Sequence, residues 1–336
     1  MAETNQFKSI LFFVIKLLIA GIVVWYLLLR NPGEIWTCLA HIEVKFILAA
    51  GGVYLLHMLC AAWRWGRLAR ILGVKLSAFE SLSLTMQGYF FSLVIPGGAI
   101  GGDVVKMGVL SRRSASGEKF EGVFSILMDR IIGMISLFTM ALVLIPLNYK
   151  NLSRVRIPGF PEAFSRYLIG ALVLLCLGGL AASCVIFLHR IIRKVPLFNW
   201  GMELGDKLTH GMVQRMTDAA DVYARNRKEL IFLLLASVLG IHLMTALPVC
   251  LLLYGMGISC RVLTVICALT IGNIIGLIPL FPAGVGGRDV AAVMILAAAG
   301  IPEADAKTAQ LIYTALLLVI SLAAGLFFVF DRGRVK

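Results

Sequence analysis

The sequence predicts an all-α polytopic membrane protein, an inverted repeat of about six full spans plus two re-entrant, broken helical hairpins. Three observations carry this reading. The first is composition. Of the 336 residues, 60% are hydrophobic and the mean hydropathy is +0.93, arranged in long apolar blocks rather than the alternating faces of a soluble domain. The second is a motif that occurs twice: Pro96-Gly97-Gly98-Ala99-Ile100-Gly101-Gly102-Asp103 returns in altered form as Pro282-Ala283-Gly284-Val285-Gly286-Gly287-Arg288-Asp289 in the second half of the chain. The third is its setting. Each copy follows an apolar run (Leu84 to Ile95; Leu269 to Phe281) and precedes another (Val104 to Leu110; Val290 to Ala299).

Proline and clustered glycine interrupt a helix. Interrupted backbone at membrane depth is tolerated only inside protein or beside a water-filled cavity. Broken segments at matching places in two halves are the sequence pattern of a transporter's binding site. Close packing through small residues is the plainer explanation of the glycines, but it needs neither Asp103 nor Arg288 and Asp289.

In chain order, the predicted spans are 10–29, 46–63, 120–146, 168–188, 230–254 and 307–330, with broken segments at 80–112 and 262–299. The first is about the roughly 20 residues a bilayer requires and lacks a following small-x-small cleavage site, so it reads as a retained span. The domain organisation is then one transmembrane unit over 1–336, with halves at 10–146 and 168–330 and a cytoplasmic amphipathic connector at 199–228. In the connector, Leu204, Leu208, Met212, Met216, Ala220 and Tyr223 recur at helical spacing, which suits either a helix at the membrane surface or one packed on the protein's own cytoplasmic parts. Trp63, Trp65 and Trp200 read as interfacial anchors.

The net charge of +13 follows from topology rather than from nucleic-acid binding, for which there is no motif. With the N-terminus inside, twenty basic residues fall on cytoplasmic segments and eight on outer ones, which predicts a multi-pass inner-membrane protein with both termini in the cytoplasm. The seven cysteines are scattered, without a C-x-x-C pair, and read as small core residues. No metal cluster, cofactor motif or catalytic constellation is expected.

Ionisable residues inside a membrane are functional candidates. Five positions stand out: Asp103 and Lys106 after the first glycine run, Arg288 and Asp289 closing the second, and the Asp129-Arg130 pair within the 120–146 span. An arginine fork binds phosphate in two places at once, and glycine-run amides with a helix N-terminus attract anions. The predicted substrate-binding set is therefore Gly97, Gly98, Gly101, Asp103, Lys106, Asp129, Arg130, Gly284, Gly286, Gly287, Arg288 and Asp289. For Asp129 and Arg130 a structural role, pairing with Lys106 or Asp103 to hold the hairpin, is weighed equally. His57 and His242 read as packed, hydrogen-bonded residues, and Gln87 and Asn273 as partners of freed backbone.

These motifs, with Asp129-Arg130-x-x-Gly133 between them, resemble the lysylphosphatidylglycerol synthase transmembrane family, the flippase-like domain, over residues 10–330. Lys106 stands where that family usually has arginine, and Asp289 where it usually has glutamate. The resemblance implies re-entrant helices in an inverted repeat and movement of a lipid between leaflets. The cargo would be an anionic or aminoacylated phospholipid or a polyprenyl-linked lipid. It also implies a stand-alone member without the soluble aminoacyl-transfer domain, since the sequence ends at Lys336. The expected function is lipid transport without catalysis, with membrane lipids as partners and either a second copy of the chain or a lipid-modifying enzyme as an associate. The alternatives are a membrane enzyme on lipid phosphate, an accessory subunit, and an ion channel or exchanger.

Overall fold

A backbone N–H or C=O in lipid must find its partner within its own segment, which is why apolar stretches of this length fold as helices. The computed structural model describes Gly33, Thr37, Cys38, Ala40 and residues 42–95, 99–113, 119–192, 194–277 and 286–331; the predicted 10–29 span lies outside them. Their regular elements are α1 (Val44–Ile71), α2 (Ala78–Val94), α3 (Ala99–Arg113), α4 (Lys119–Leu147), α5 (Tyr149–Leu152), α6 (Phe164–Ile192), α7 (Pro196–Leu208), α8 (Met212–Arg225), α9 (Arg227–Ser237), a π turn (Val238–His242), α10 (Leu243–Gly255), α11 (Val262–Gly276), α12 (Gly287–Ala298), α13 (Glu303–Ala323) and α14 (Leu326–Asp331). Among the described residues, five helical stretches are long and apolar enough to cross a membrane: Val44–Ile71, Lys119–Leu147, Phe164–Leu188, Arg227–Gly255 and Glu303–Phe330.

Both broken segments fold as helical hairpins, α2 against α3 and α11 against α12. A capping box starts α2: the Ser77 hydroxyl accepts from the Glu80 amide and the Glu80 carboxylate accepts from the Ser77 amide.

Four helices of the first half recur in order in the second. Val44, Ala78, Ala99 and Lys119 open α1 to α4; Arg227, Val262, Gly287 and Glu303 open α9, α11, α12 and α13 in the same order and at a nearly constant offset. Packing obeys the same equivalence. α4 lies on α11 and α13 on α2, while α1 packs against α10, which continues its own counterpart. His57 Nδ1 meets the Ile241 carbonyl at 3.3 Å, a contact between positions 184 apart, close to the offset of the matching helix starts. The carbonyl only accepts, so Nδ1 carries the proton and Nε2 accepts from the Tyr89 hydroxyl at 3.2 Å. His242, likewise, is hydrogen-bonded to Ser136 at 3.0 Å.

Two predicted features are corrected. The 199–228 connector is not one helix but two, α7 and α8, separated where His210 (φ 51°) and Gly211 (φ 83°) take the left-handed conformation. One face of α8 is buried, with Tyr223 in contact with Phe124 and its hydroxyl donating to the Leu68 carbonyl at 2.9 Å. So α8 packs on the protein itself, while α7 keeps Trp200 and Leu208 exposed. Burial raises the Tyr223 phenol above its ordinary pKa. Tyr223→Phe is expected to cost about 0.5–1.5 kcal/mol, the usual net contribution of one hydrogen bond, as a lower thermal midpoint in detergent. The second correction concerns Trp65. It is fully buried, not interfacial, and its indole N–H donates to Ser125.

Candidate functional site

The hairpin of α2 and α3 closes tightly because of glycine. A Cβ at Gly102 would overlap the Gly88 carbonyl oxygen and the Ser92 hydroxyl. Gly101 is nearly as confined, with Ile95 atoms 3.0–3.2 Å from where its Cβ would stand. This approach sets the first turn of α3 against α2 and presents Asp103 and Lys106 from α3.

Successive residues on a helix point about 100° apart, so Asp129 and Arg130 on α4 address different neighbours. Arg130 faces α3 and grips Asp103 in bidentate fashion, Nε to Oδ2 at 2.5 Å and Nη2 to Oδ1 at 2.8 Å. Asp129 faces α1, where Arg64 Nε donates to Oδ1 at 2.9 Å. Arg64 also donates to the Ser237 hydroxyl at 2.9 Å and to the Asp129 carbonyl at 3.3 Å. Lys106 lies against the face of Trp65, Nζ 3.3 Å from the ring centroid, and 3.5 Å from the Thr85 hydroxyl.

Exposure separates these groups. The Arg64, Asp103 and Asp129 side chains are 8%, 12% and 15% accessible, whereas Arg130 is 48% accessible. Arg130 is thus anchored in Asp103 and nearly half accessible. Of the two roles weighed for Asp129-Arg130, the geometry gives Asp129 an internal partner, Arg64. It leaves Arg130 both paired and accessible.

The second hairpin carries a different arrangement. Asp289 sits in the first turn of α12, and its Oδ2 accepts from the Gly286 amide at 3.0 Å, so it caps its own helix. Its Oδ1 accepts from Arg288 Nε and Nη2 (2.9 and 2.7 Å), from Gln310 (2.8 Å) and from Thr314 (3.0 Å). Arg288 Nη2 also donates to Thr314 at 2.7 Å, and the guanidinium lies 5.1 Å over the Tyr313 ring. Both side chains are 6% accessible.

The expected single anion site is therefore divided in two. Asp103, Lys106, Asp129 and Arg130 come together, joined by Arg64 and Trp65. Gly286, Gly287, Arg288 and Asp289 form a closed cluster in the other repeat. The Arg288 fork, expected at a headgroup, is bonded to Asp289 and Thr314 and is 6% accessible. The amide at the start of α12 is likewise taken by Asp289. Gly97, Gly98 and Gly284 lie outside the described residues. Gln87 and Asn273 bond to side chains, Ser83 and Thr245 respectively. Tyr313, Tyr54, His57 and Tyr89 form a chain of aromatic contacts, with centroids 5.6–6.3 Å apart, running from the Arg288 cluster back to α2.

The two clusters are related by the repeat. Arg130 bonds Asp103 in the first half; in the second, Thr314 at the place of Arg130 bonds Asp289 at the place of Asp103. The glycine approach repeats as well: a Cβ at Gly272, the counterpart of Gly88, would lie 2.8 Å from the carbonyl oxygen of Arg288, the counterpart of Gly102. Lysylphosphatidylglycerol synthase TM region sequences match this chain over residues 13–325, through both hairpins and both clusters. The chain belongs to the lysylphosphatidylglycerol synthase TM region family. It is also similar to UPF0104 membrane protein PH1989 of Pyrococcus horikoshii, 20% identical over 226 residues, which is 66% of this chain and 66% of that protein. As a member of the lysylphosphatidylglycerol synthase TM region family, the protein is a multi-pass membrane protein with a membrane-lipid-related function.

Sequence reasoning missed Arg64, Trp65 and Ser237. Arg64 and Trp65 follow the end of an apolar run and read as a boundary, yet α1 continues to Ile71, and its 28 residues reach roughly 42 Å. The signal available was Asp129, a carboxylate at membrane depth that required a cation.

Proposed function

We propose that the protein moves a phosphate-bearing membrane lipid from one leaflet to the other, without chemically altering it. The observation that carries this is Arg130, at membrane depth on α4, anchored by Asp103 and nearly half accessible. An oriented guanidinium with an accessible side suits a phosphate, while the acyl tails stay among the exposed apolar residues of the outer helices. In this reading the Arg288–Asp289 cluster positions the second hairpin and does not contact the lipid. The protein sits in the inner membrane with both termini in the cytoplasm. Arg64, Lys106 and the outer Lys307 are buried and no longer count toward topology; without those three, eighteen cytoplasmic bases still stand against seven outer ones.

The test is leaflet exchange of fluorescent lipids in proteoliposomes, with chromatography of the recovered lipid. Wild type is expected to accelerate exchange and return the lipid unchanged. Arg130→Ala is expected to lower the rate by about tenfold or more, the loss of one charged hydrogen-bonded contact. Exchange at the wild-type rate in Arg130→Ala would remove Arg130 from the headgroup site. A chemically converted lipid would point to an enzyme.

A further inference from the structure

Packing does not account for Lys106. It is 6% accessible and reaches from α3 to two other helices, with Nζ 3.3 Å from the ring centroid of Trp65 on α1 and 3.5 Å from the hydroxyl of Thr85 on α2. In the registers that set Gly88 on Gly272 and Asp103 on Asp289, the places of Trp65, Thr85 and Lys106 fall on Val249, Leu269 and Ala292. All three are apolar and fully buried. The fold thus fills the equivalent junction of the second repeat without an amine. A buried amine is costlier than an apolar side chain at the same place, so its presence calls for a role other than filling space.

The charged groups that face Lys106 are Arg64 from α1, Asp103 from its own helix, and Asp129 and Arg130 from α4; α2 contributes the Thr85 hydroxyl. The four charges form two arginine–aspartate pairs, which cancel. Among the described residues neither carboxylate is hydrogen-bonded to Lys106. One proton on the amine therefore decides whether the junction is neutral or carries a positive charge. The surroundings serve both forms. The indole face attracts an ammonium. The Thr85 hydroxyl accepts from an ammonium and donates to the lone pair of a neutral amine. We propose that Lys106 is a proton-binding site that couples lipid movement to a transmembrane proton gradient. The proton is taken from water on one side of the membrane and returned to water on the other. The ammonium attracts Asp103 and Asp129 and competes for them with Arg130 and Arg64, whereas the neutral amine does not. Proton binding thus acts on the pair that anchors Arg130. The coupling rests on the transport reading; the proton site does not.

Two measurements test this. The first is 13C NMR of detergent-solubilised full-length protein labelled at the ε carbon of lysine, followed as a function of pH. Lys106→Met, permanently neutral and close to lysine in length, and Lys106→Arg, permanently charged, each identify the Lys106 resonance by its absence. The second is the distribution of fluorescent phosphatidylglycerol and phosphatidylcholine between the leaflets of proteoliposomes. It is read with a pH gradient imposed in either direction, with none, and with a protonophore, while the membrane potential is clamped.

The Lys106 resonance is expected to titrate within the physiological pH range, since a group that stays charged or stays neutral there does not follow a proton gradient. With a gradient of about one pH unit, wild type is expected to drive the transported lipid towards an about tenfold asymmetry between leaflets, the ratio of proton activities when one proton accompanies one lipid. Reversing the gradient should reverse the asymmetry, and the protonophore should abolish it. Both variants should distribute lipid evenly under either gradient, although their charges are opposite in kind. A resonance that does not move with pH overturns the proton site. An asymmetry undiminished in both variants places the proton elsewhere and overturns it as well. Lipid that moves in wild type without regard to the gradient overturns the coupling. Titration of Lys106 in a protein that moves no lipid removes the transport reading and upholds the proton site.

Discussion

Asp129→Ala is expected to destabilise the protein by about 3–5 kcal/mol, the loss seen when one partner of a buried ion pair is removed. The reason lies with the partner left behind. Arg64 is 8% accessible, comes from a different element, and retains only Ser237 and the Asp129 backbone carbonyl as acceptors among the described residues. Neither carries charge. Thermal unfolding in detergent should show a midpoint lower by roughly 10 °C. The double variant Arg64→Met with Asp129→Leu tests the mechanism, because an apolar pair of similar volume avoids stranding a charge and should recover most of the loss. A single variant as stable as wild type would mean that Arg64 finds water or another acceptor, and that the pair holds nothing together.

That pair also marks how far the sequence could be read. Asp129 and Arg130 were visible because a charge inside an apolar stretch is costly enough to need a reason. The first repeat's Asp103 and the second's Arg288 and Asp289 were visible for the same reason, and the proline–glycine runs beside them gave away the hairpins. The nearly constant offset between matching helix starts was legible from the motif spacing alone. Partner choice was legible only in part: pairing of Arg130 with Asp103 was among those weighed, the others were not. Arg288 and Asp289 are adjacent in sequence, yet only the fold shows that Thr314 and Gln310 from α13 complete their cluster and close it. Arg64 and Trp65 looked like a helix end because hydropathy falls there, whereas tertiary contacts with α4 carry α1 onward. The π turn at Val238–His242 has no local signature, and it lies where Ile241 meets His57. What the sequence hid was long-range pairing, which composition and spacing do not encode.

Gly102→Ala is expected to be the most disruptive single methyl in the described part of the chain. The added Cβ would overlap a backbone oxygen, that of Gly88, and a hydroxyl, that of Ser92, which is itself held by the Gly88 carbonyl at 2.7 Å. A flexible side-chain tip can move aside; a carbonyl inside a helix cannot do so without bending the helix. The expected cost is at or beyond the top of the about 1–3 kcal/mol range for overpacking. Function should suffer further, because separating α3 from α2 carries Asp103 away from Arg130 and unanchors the guanidinium. Gly88→Ala is the control. It lies on the same interface, but its Cβ would have 3.9 Å to the Gly102 carbonyl, an ordinary contact, and should be tolerated. Gly272→Ala, 2.8 Å from the Arg288 carbonyl, should fall between the two and disturb the second hairpin instead. The order of thermal midpoints, Gly88→Ala above Gly272→Ala above Gly102→Ala, is fixed by these distances. If Gly102→Ala matched Gly88→Ala in stability and in lipid exchange, the close approach of α2 and α3 would not be what sets Asp103 against Arg130, and the glycine runs would need a different explanation.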